Sequence, residues 1–254
     1  MNDFLDPRQC RDLIAELAEM LPRVFGRQEL AAWPSPFDEP DDVRRRRRDP
    51  VFTGGAVVGL LITDPAAPPP SRTKDIDVVL EIAGYGEFAA MEQSLRQAGF
   101  TQNWLDSAPV VAWYWRGIRV DFLPHKPMEM MKTNRWFPYL IDEAERIEVA
   151  REKFAWCASA PCFIATKLEA FFSRGKGDYL TSKDMEDILA VIDGRKELMD
   201  EVRITAPEIS GFIAASFREL MGLERFMECI PQIVPEDARE EIVLQRLRKI
   251  TAHK

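Results

Sequence analysis

The sequence predicts an α+β fold, a small mixed β-sheet flanked by helices with a helical C-terminal part, and three observations carry that prediction. Apolar and acidic residues alternate over Asp75 to Ile82, the period-2 pattern of a strand with one buried face. Two β-prone runs, Val110 to Trp115 and Ile118 to Leu123, are joined by Arg116-Gly117, the length of a tight hairpin turn. From Asp142 onward the periodicity turns helical. Helices packed on a mixed sheet follow from that order of elements. The chain divides accordingly into an N-terminal helix and charged loop (1–50), a sheet-forming core (51–140) and a helical part (141–254).

Element by element, helix is expected over 4–32, where Leu13, Leu17 and Met20 recur at helical spacing with Ile14 and Leu21 beside them. Prolines and charges follow from Trp33 to Pro50, ending in five arginines, Arg44 to Arg48. Such a run can hold a nucleic-acid backbone through charge alone; it also fits a solvated turn balanced by Asp41 and Asp42. Val51-Phe52-Thr53 reads as a short strand, Gly54-Gly55 as a break, and Ala56 to Leu61 as a buried helix. Pro65 to Pro70 is a surface loop, and 85–97 a helix stopped by Gly99. In the helical part, one helix covers Pro161 to Arg174. Another runs from Ser182, a suitable N-cap, to a stop at Gly194. Further amphipathic helix covers 207–228 and 235–250.

Composition excludes several classes of function. At 254 residues with 46% hydrophobic and 30% charged residues, the chain is an ordinary globular sequence that needs no staple to fold. No apolar run approaches the roughly 20 residues of a membrane span. Asp3 and Asp6 open the chain without a secretory signal, so a cytoplasmic protein with four reduced cysteines and no membrane partner is expected. Two histidines are too few for an ordinary zinc site and leave a hydrolytic triad to His125 alone. That histidine reads as an exposed loop residue, with a place near the mouth of a site as the alternative. A net charge of −8 argues against general nucleic-acid coating, though not against a local basic groove.

Asp75 and Asp77 lie two residues apart on a strand, so both side chains leave one face while Ile76, Val78 and Leu80 hold the other. The hairpin strand places Asp121 opposite Ile118, Val120 and Phe122. If the two strands are neighbours, three carboxylates converge and would raise one another's pKa unless a cation compensates them. Oxygen-only ligands suit magnesium. Acids on an exposed strand face are also common without any function. Upstream, Gly54 and Gly55 allow a close backbone approach to phosphate, the following helix supplies free N–H groups, and Thr53 adds a hydroxyl. A simple strand–helix turn uses the same residues. Taken together, these features suit a nucleoside triphosphate with two metal ions, which stabilise the attacking and leaving oxygens of nucleotidyl transfer.

Thr53-Gly54-Gly55, Arg72-Thr73-Lys74-Asp75-Ile76-Asp77 and Val120-Asp121-Phe122 resemble the polymerase-β-type nucleotidyltransferase superfamily. Thr166 to Asp178 and Ser182 to Ile188 resemble its AbiEii or MenT-like toxin branch, so the resemblance covers about residues 50 to 200. Two departures are the Pro-rich 65–70 segment before Asp75 and Gly55 where many relatives have serine. The resemblance implies a magnesium-dependent nucleotidyltransferase, the toxin of a bacterial toxin–antitoxin or phage-defence pair, acting on an NTP and on RNA, foremost the tRNA 3′ end. It implies metal ligation by Asp75, Asp77 and Asp121, nucleotide contacts from Thr53, Gly54, Gly55, Arg72, Lys167 and Arg174, and a supporting role for Asp184 above Asp187. Lys167, at the border of an apolar helix face, either grips the triphosphate or snorkels past the core to solvent. An antitoxin protein is an implied partner. The alternatives are a small-molecule (antibiotic-type) nucleotidyltransferase and a non-catalytic nucleotide-binding protein of the same fold.

Overall fold

The computed structural model describes residues 4–25, 49–82, 84–103, 111–128, 133–174 and 178–252. Arg44 to Arg48, Glu129 to Met131, Lys176 and His253 lie outside these residues. The fold is a mixed α+β one, with a six-stranded sheet and ten α-helices among the described residues. None of the described helices is long and apolar enough to cross a membrane. The chain forms two compact units, Met1–Val57 with Arg72–Ala158, and Val58–Ser71 with Ser159–Lys254.

The first unit begins with α1 (Pro7–Val24), and Asp6 and Gln9 close a reciprocal capping box at its N-terminus, both bonds 2.9 Å long. Leu13, Ile14, Leu17 and Leu21 are buried as the periodicity predicts, while Met20 is only half-buried. The expected helix to residue 32 is described only as far as its C-cap, Phe25. The strands β1 (Val51–Thr53), β2 (Asp75–Leu80), β3 (Ala112–Trp115), β4 (Ile118–Pro124), β5 (Glu145–Ala150) and β6 (Lys153–Cys157) assemble in the order β3-β4-β2-β1-β6-β5. β2 lies parallel to β4 and antiparallel to β1, and β1 lies parallel to β6. Arg116 and Gly117 both adopt positive φ, 50° and 81°, the pattern whose twist matches the strands of a two-residue hairpin. Ile76, Val78, Leu80, Val120 and Phe122 make the buried face, and Phe25 and Phe100 meet Phe122 edge-on.

Two expectations about this sheet need correction. Residues 145–157, assigned to the helical part, form the hairpin β5–β6, and β6 is an inner strand. Its turn carries no glycine to mark it; Glu152 itself takes a φ of 60°. Residues 56–61 do not form one helix either. A 3-10 turn, Gly55–Val57, ends in the first unit, and α2 (Val58–Leu61) begins the second. The helix α3 (Tyr85–Gln97) ends before Gly99, whose φ is 95°, as anticipated. A further short helix, α4 (Phe137–Asp142), precedes β5.

The second unit packs α2 with α5 (Ala160–Arg174), α6 (Lys183–Gly194), α7 (Leu198–Ile204), α8 (Pro207–Met221), α9 (Glu224–Ile233) and α10 (Asp237–Ala252). The helix expected over 207–228 therefore divides around Gly222 and Leu223. Ile164, Leu168, Ile188, Ile192, Ile213, Phe217 and Leu247 are fully buried at its centre. Ser182 caps α6 by accepting from the Met185 amide at 3.3 Å. The carbonyls at the end of α6 have no helical partner and are satisfied from three directions. Thr63 and Asp64 donate their amides to the Gly194 carbonyl at 3.0 and 2.8 Å. Arg246 donates to the Ile192 and Asp193 carbonyls. Arg239 donates to the Asp193 carbonyl and carboxylate and, at 2.8 Å, to Asp64. This arrangement explains why 58–71 groups with the helical unit.

Two measurements probe it. A Cβ on Gly194 would lie 2.8 Å from both Cγ atoms of Ile62, so Gly194→Ala is expected to destabilise by about 1–3 kcal/mol in urea titrations, through overpacking. Adding Ile62→Ala should recover part of that loss. The Arg239 guanidinium, helped by the Ala66 amide, holds the Asp64 carboxyl down at about 2. A carboxylate depressed in the folded state contributes stability above its unfolded pKa and loses it as pH falls through the folded value. Wild-type stability should therefore drop relative to Asp64→Asn between pH ~4 and ~2.

Candidate functional site

The register of three strands builds the acidic face. Thr53 on β1 pairs with Asp77 on β2, and Asp77 pairs with Asp121 on β4. Directly paired residues project to the same side of a sheet, so Thr53, Asp77 and Asp121 form one transverse row. Asp75 pairs with Arg119 and begins the next row. The convergence anticipated for Asp75, Asp77 and Asp121 is thus met at the level of strands and faces. Asp75 accepts from the Thr73 hydroxyl at 3.2 Å, and Arg72, just ahead, is exposed.

Gly54 is held to this row by steric need. Its φ is 71°, and a Cβ placed on it would meet an Asp77 carboxylate oxygen at 1.8 Å. The close approach expected toward a phosphate is therefore, in this structure, an approach to Asp77. Gly55 opens a single 3-10 turn followed by four α-helical residues. Such short segments align few peptide dipoles, so less positive end-charge is present than a long helix would offer. Thr53 is 4% exposed at the strand end.

Arg119 donates from Nε to Asp121 Oδ1 at 2.7 Å and from Nη2 to Asp121 Oδ2 at 2.6 Å, a bidentate ion pair. Burial pushes the Asp121 carboxyl up, Arg119 pulls it part of the way back, and Asp75 adds to the rise. Among the described residues no group of three or more His, Cys, Asp or Glu side chains is arranged to hold a metal ion. The donor chemistry of the three aspartates suits magnesium, but the three-carboxylate set does not fit it as arranged, because Arg119 takes both oxygens of Asp121. Counting carboxylates overlooked that residue. The same two-residue spacing that places Asp121 on this face also places Arg119 there.

The second unit carries a polar cluster. Lys167 Nζ donates to Asp184 at 3.1 Å and to Asp187 at 2.8 Å, with its side chain 13% exposed. It does not run out to solvent. Asp187, ranked below Asp184 from the sequence, also accepts from Lys183 at 2.7 Å and is nearly inaccessible. The four-residue spacing of Lys183 and Asp187 was the available signal. Arg174 ends α5, and its side chain lies outside the described set.

His125 corrects another expectation. It is 8% exposed, donates its amide to the Leu80 carbonyl at 2.9 Å and accepts from the Ile82 amide through Nδ1 at 3.3 Å. Desolvation lowers its pKa, so it extends the β2–β4 ladder as a neutral side chain.

The Gly54–Asp77 contact is open to a double-mutant test. Gly54→Ala should cost more than about 2 kcal/mol in denaturant titrations, combining the left-handed backbone with displacement of the carboxylate. Gly54→Ala/Asp77→Ala should regain the steric part and retain the backbone part.

No protein-family model matches the chain, and no curated protein matches it either.

Proposed function

We propose that the protein is a magnesium-dependent nucleotidyltransferase that moves a nucleoside monophosphate from an NTP to an acceptor, with RNA, foremost the tRNA 3′ end, as that acceptor. The observation that supports this reading is the row Thr53–Asp77–Asp121 with Gly54 packed on Asp77 and Asp75 one register step away. Oxygen ligands gathered on one sheet face match the chemistry of phosphate-bound magnesium. In the reaction the acceptor hydroxyl oxygen attacks the α-phosphorus, a P–O bond forms, the α–β anhydride bond breaks and pyrophosphate leaves. Asp121 is assigned the hydroxyl proton in this proposal, which requires its carboxylate to be released from Arg119. Lys167 is assigned to the triphosphate on the resemblance alone. A toxin role, paired with an antitoxin protein, belongs to the same proposal and rests on the resemblance of 166–188.

The test incubates the protein with each α-labelled NTP, magnesium and total tRNA, beside an Asp75→Ala/Asp77→Ala variant. Label should appear on RNA, fall by about a hundredfold or more in the variant, disappear on chelation and return with added magnesium. Equal labelling by both proteins sinks the reading. Transfer to an aminoglycoside but never to RNA selects a small-molecule acceptor, and nucleotide binding without any transfer selects a non-catalytic protein.

A further inference from the structure

The sheet has two edges, and only one of them is partly occupied among the described residues. At β3, Thr101 and Tyr114 exchange amide-to-carbonyl bonds of 3.0 and 2.8 Å, so a further piece of backbone covers part of that edge. β5 is the other edge, and no strand among the described residues pairs along its outer side. Such an edge is a template for another strand unless something blocks it. The register with β6 sorts the β5 side chains. Ile147 pairs with Ala155, which is buried, whereas Arg146 pairs with Trp156 and Glu148 with Phe154 on the opposite face. There Phe154 is 41% exposed, and the Arg146 guanidinium lies over its ring at 4.1 Å. Glu148 is exposed, with one oxygen accepting from the Glu152 amide at 3.1 Å. The ladder slips between Glu148 and Ala150, which confines the regular edge to residues 145–148.

We propose that the β5 edge joins a second copy of this chain, antiparallel around a two-fold axis at Ile147, so that the sheet continues from one copy into the other. Charge selects this occupant. In that register Arg146 faces Glu148 of the second copy, Glu148 faces Arg146 of the second copy, and Ile147 meets its own counterpart. Opposite charges directly across antiparallel strands are favourable, and like charges are not. A slip of one residue in one direction sets Glu145 against Glu148 of the second copy; in the other it leaves Arg146 facing Val149. A further step sets Glu148 against itself. Self-complementarity of this kind is what a two-fold, isologous contact requires. An unrelated extended peptide would satisfy the backbone groups without accounting for it. The contact is short, so the dimer is weak and concentration-dependent. It does not rest on the transfer reading, whose aspartates lie on β2 and β4.

The full chain is followed by sedimentation velocity from about 1 micromolar to about 1 millimolar, the range in which a small interface assembles. The mass should rise with concentration from 29.1 kDa toward twice that value. Amide hydrogen exchange at residues 145–149 should slow over the same range, while the β3 amides keep their rates. Arg146→Glu and Glu148→Arg should each associate about tenfold more weakly, since symmetry turns both pairs from attraction to repulsion at once. Mixed in equal amounts, the two variants should recover wild-type association, because each presents the charge the other lacks. The swap Arg146→Glu/Glu148→Arg should recover it alone. A chain that stays monomeric at every concentration overturns the proposal. So do reversals that associate as wild type does, reversals that fail to recover on mixing, and a dimer whose exchange at 145–149 is unchanged, since that dimer uses another surface. If circular dichroism shows one reversal unfolded, the other reversal and the exchange rates decide: weaker association with slowed exchange in the wild type supports the edge contact, and any other combination overturns it.

Discussion

The Asp77 carboxylate occupies the volume that a side chain at residue 54 would need. That exclusion ties three features together. β1 must end at Thr53, residue 54 must be glycine with a left-handed backbone, and Asp77 must sit in register with Thr53 for its oxygen to reach that hollow. A one-residue slip of β2 would swing Asp75 and Asp77 into the apolar layer and Ile76 and Val78 onto the acidic face, at a cost no local rearrangement could offset. The register also carries Asp121 and Arg119 into place through the parallel β2–β4 ladder.

Charge compensation follows one physical rule in both units. Aspartates removed from water are met by cationic side chains with more than one contact. Arg119 forks onto Asp121; Arg239 spans Asp193 and Asp64; Lys167 reaches Asp184 and Asp187, the latter shared with Lys183. Breaking such a pair leaves an uncompensated charge, which is costly, while keeping it offers only modest net stability. The three cases differ in exposure. Arg239 is almost inaccessible and joins backbone carbonyls to its carboxylates, which marks a structural clamp. Arg119 has solvent beside it and only one carboxylate to hold.

Much of the architecture was legible in advance because it depends on local periodicity. Alternation placed Asp75 and Asp77 on one face; Arg116-Gly117 marked the hairpin; Ser182 and Gly194 bounded a helix. The β5–β6 hairpin was not legible. Its strands mix charged residues with apolar ones, its turn lacks glycine, and β6 takes its inner place only by pairing with Val51 and Phe52, about a hundred residues earlier. The break within 55–61 was equally hidden, since Ala56 to Leu61 is uniformly apolar and an apolar run suits either unit.

By itself, the sequence determined which side chains share a face and where helices such as α3, α5 and α6 begin and stop, because those follow from backbone geometry over a few residues. The strand order, the docking of 58–71 on the end of α6, and the partners of each buried charge were decided by tertiary structure. So was the choice of Asp121's companion. Residue spacing puts Asp75, Asp77, Arg119 and Asp121 on one surface, but whether Asp121 faces a carboxylate or a guanidinium depends on through-space energies that no local pattern encodes.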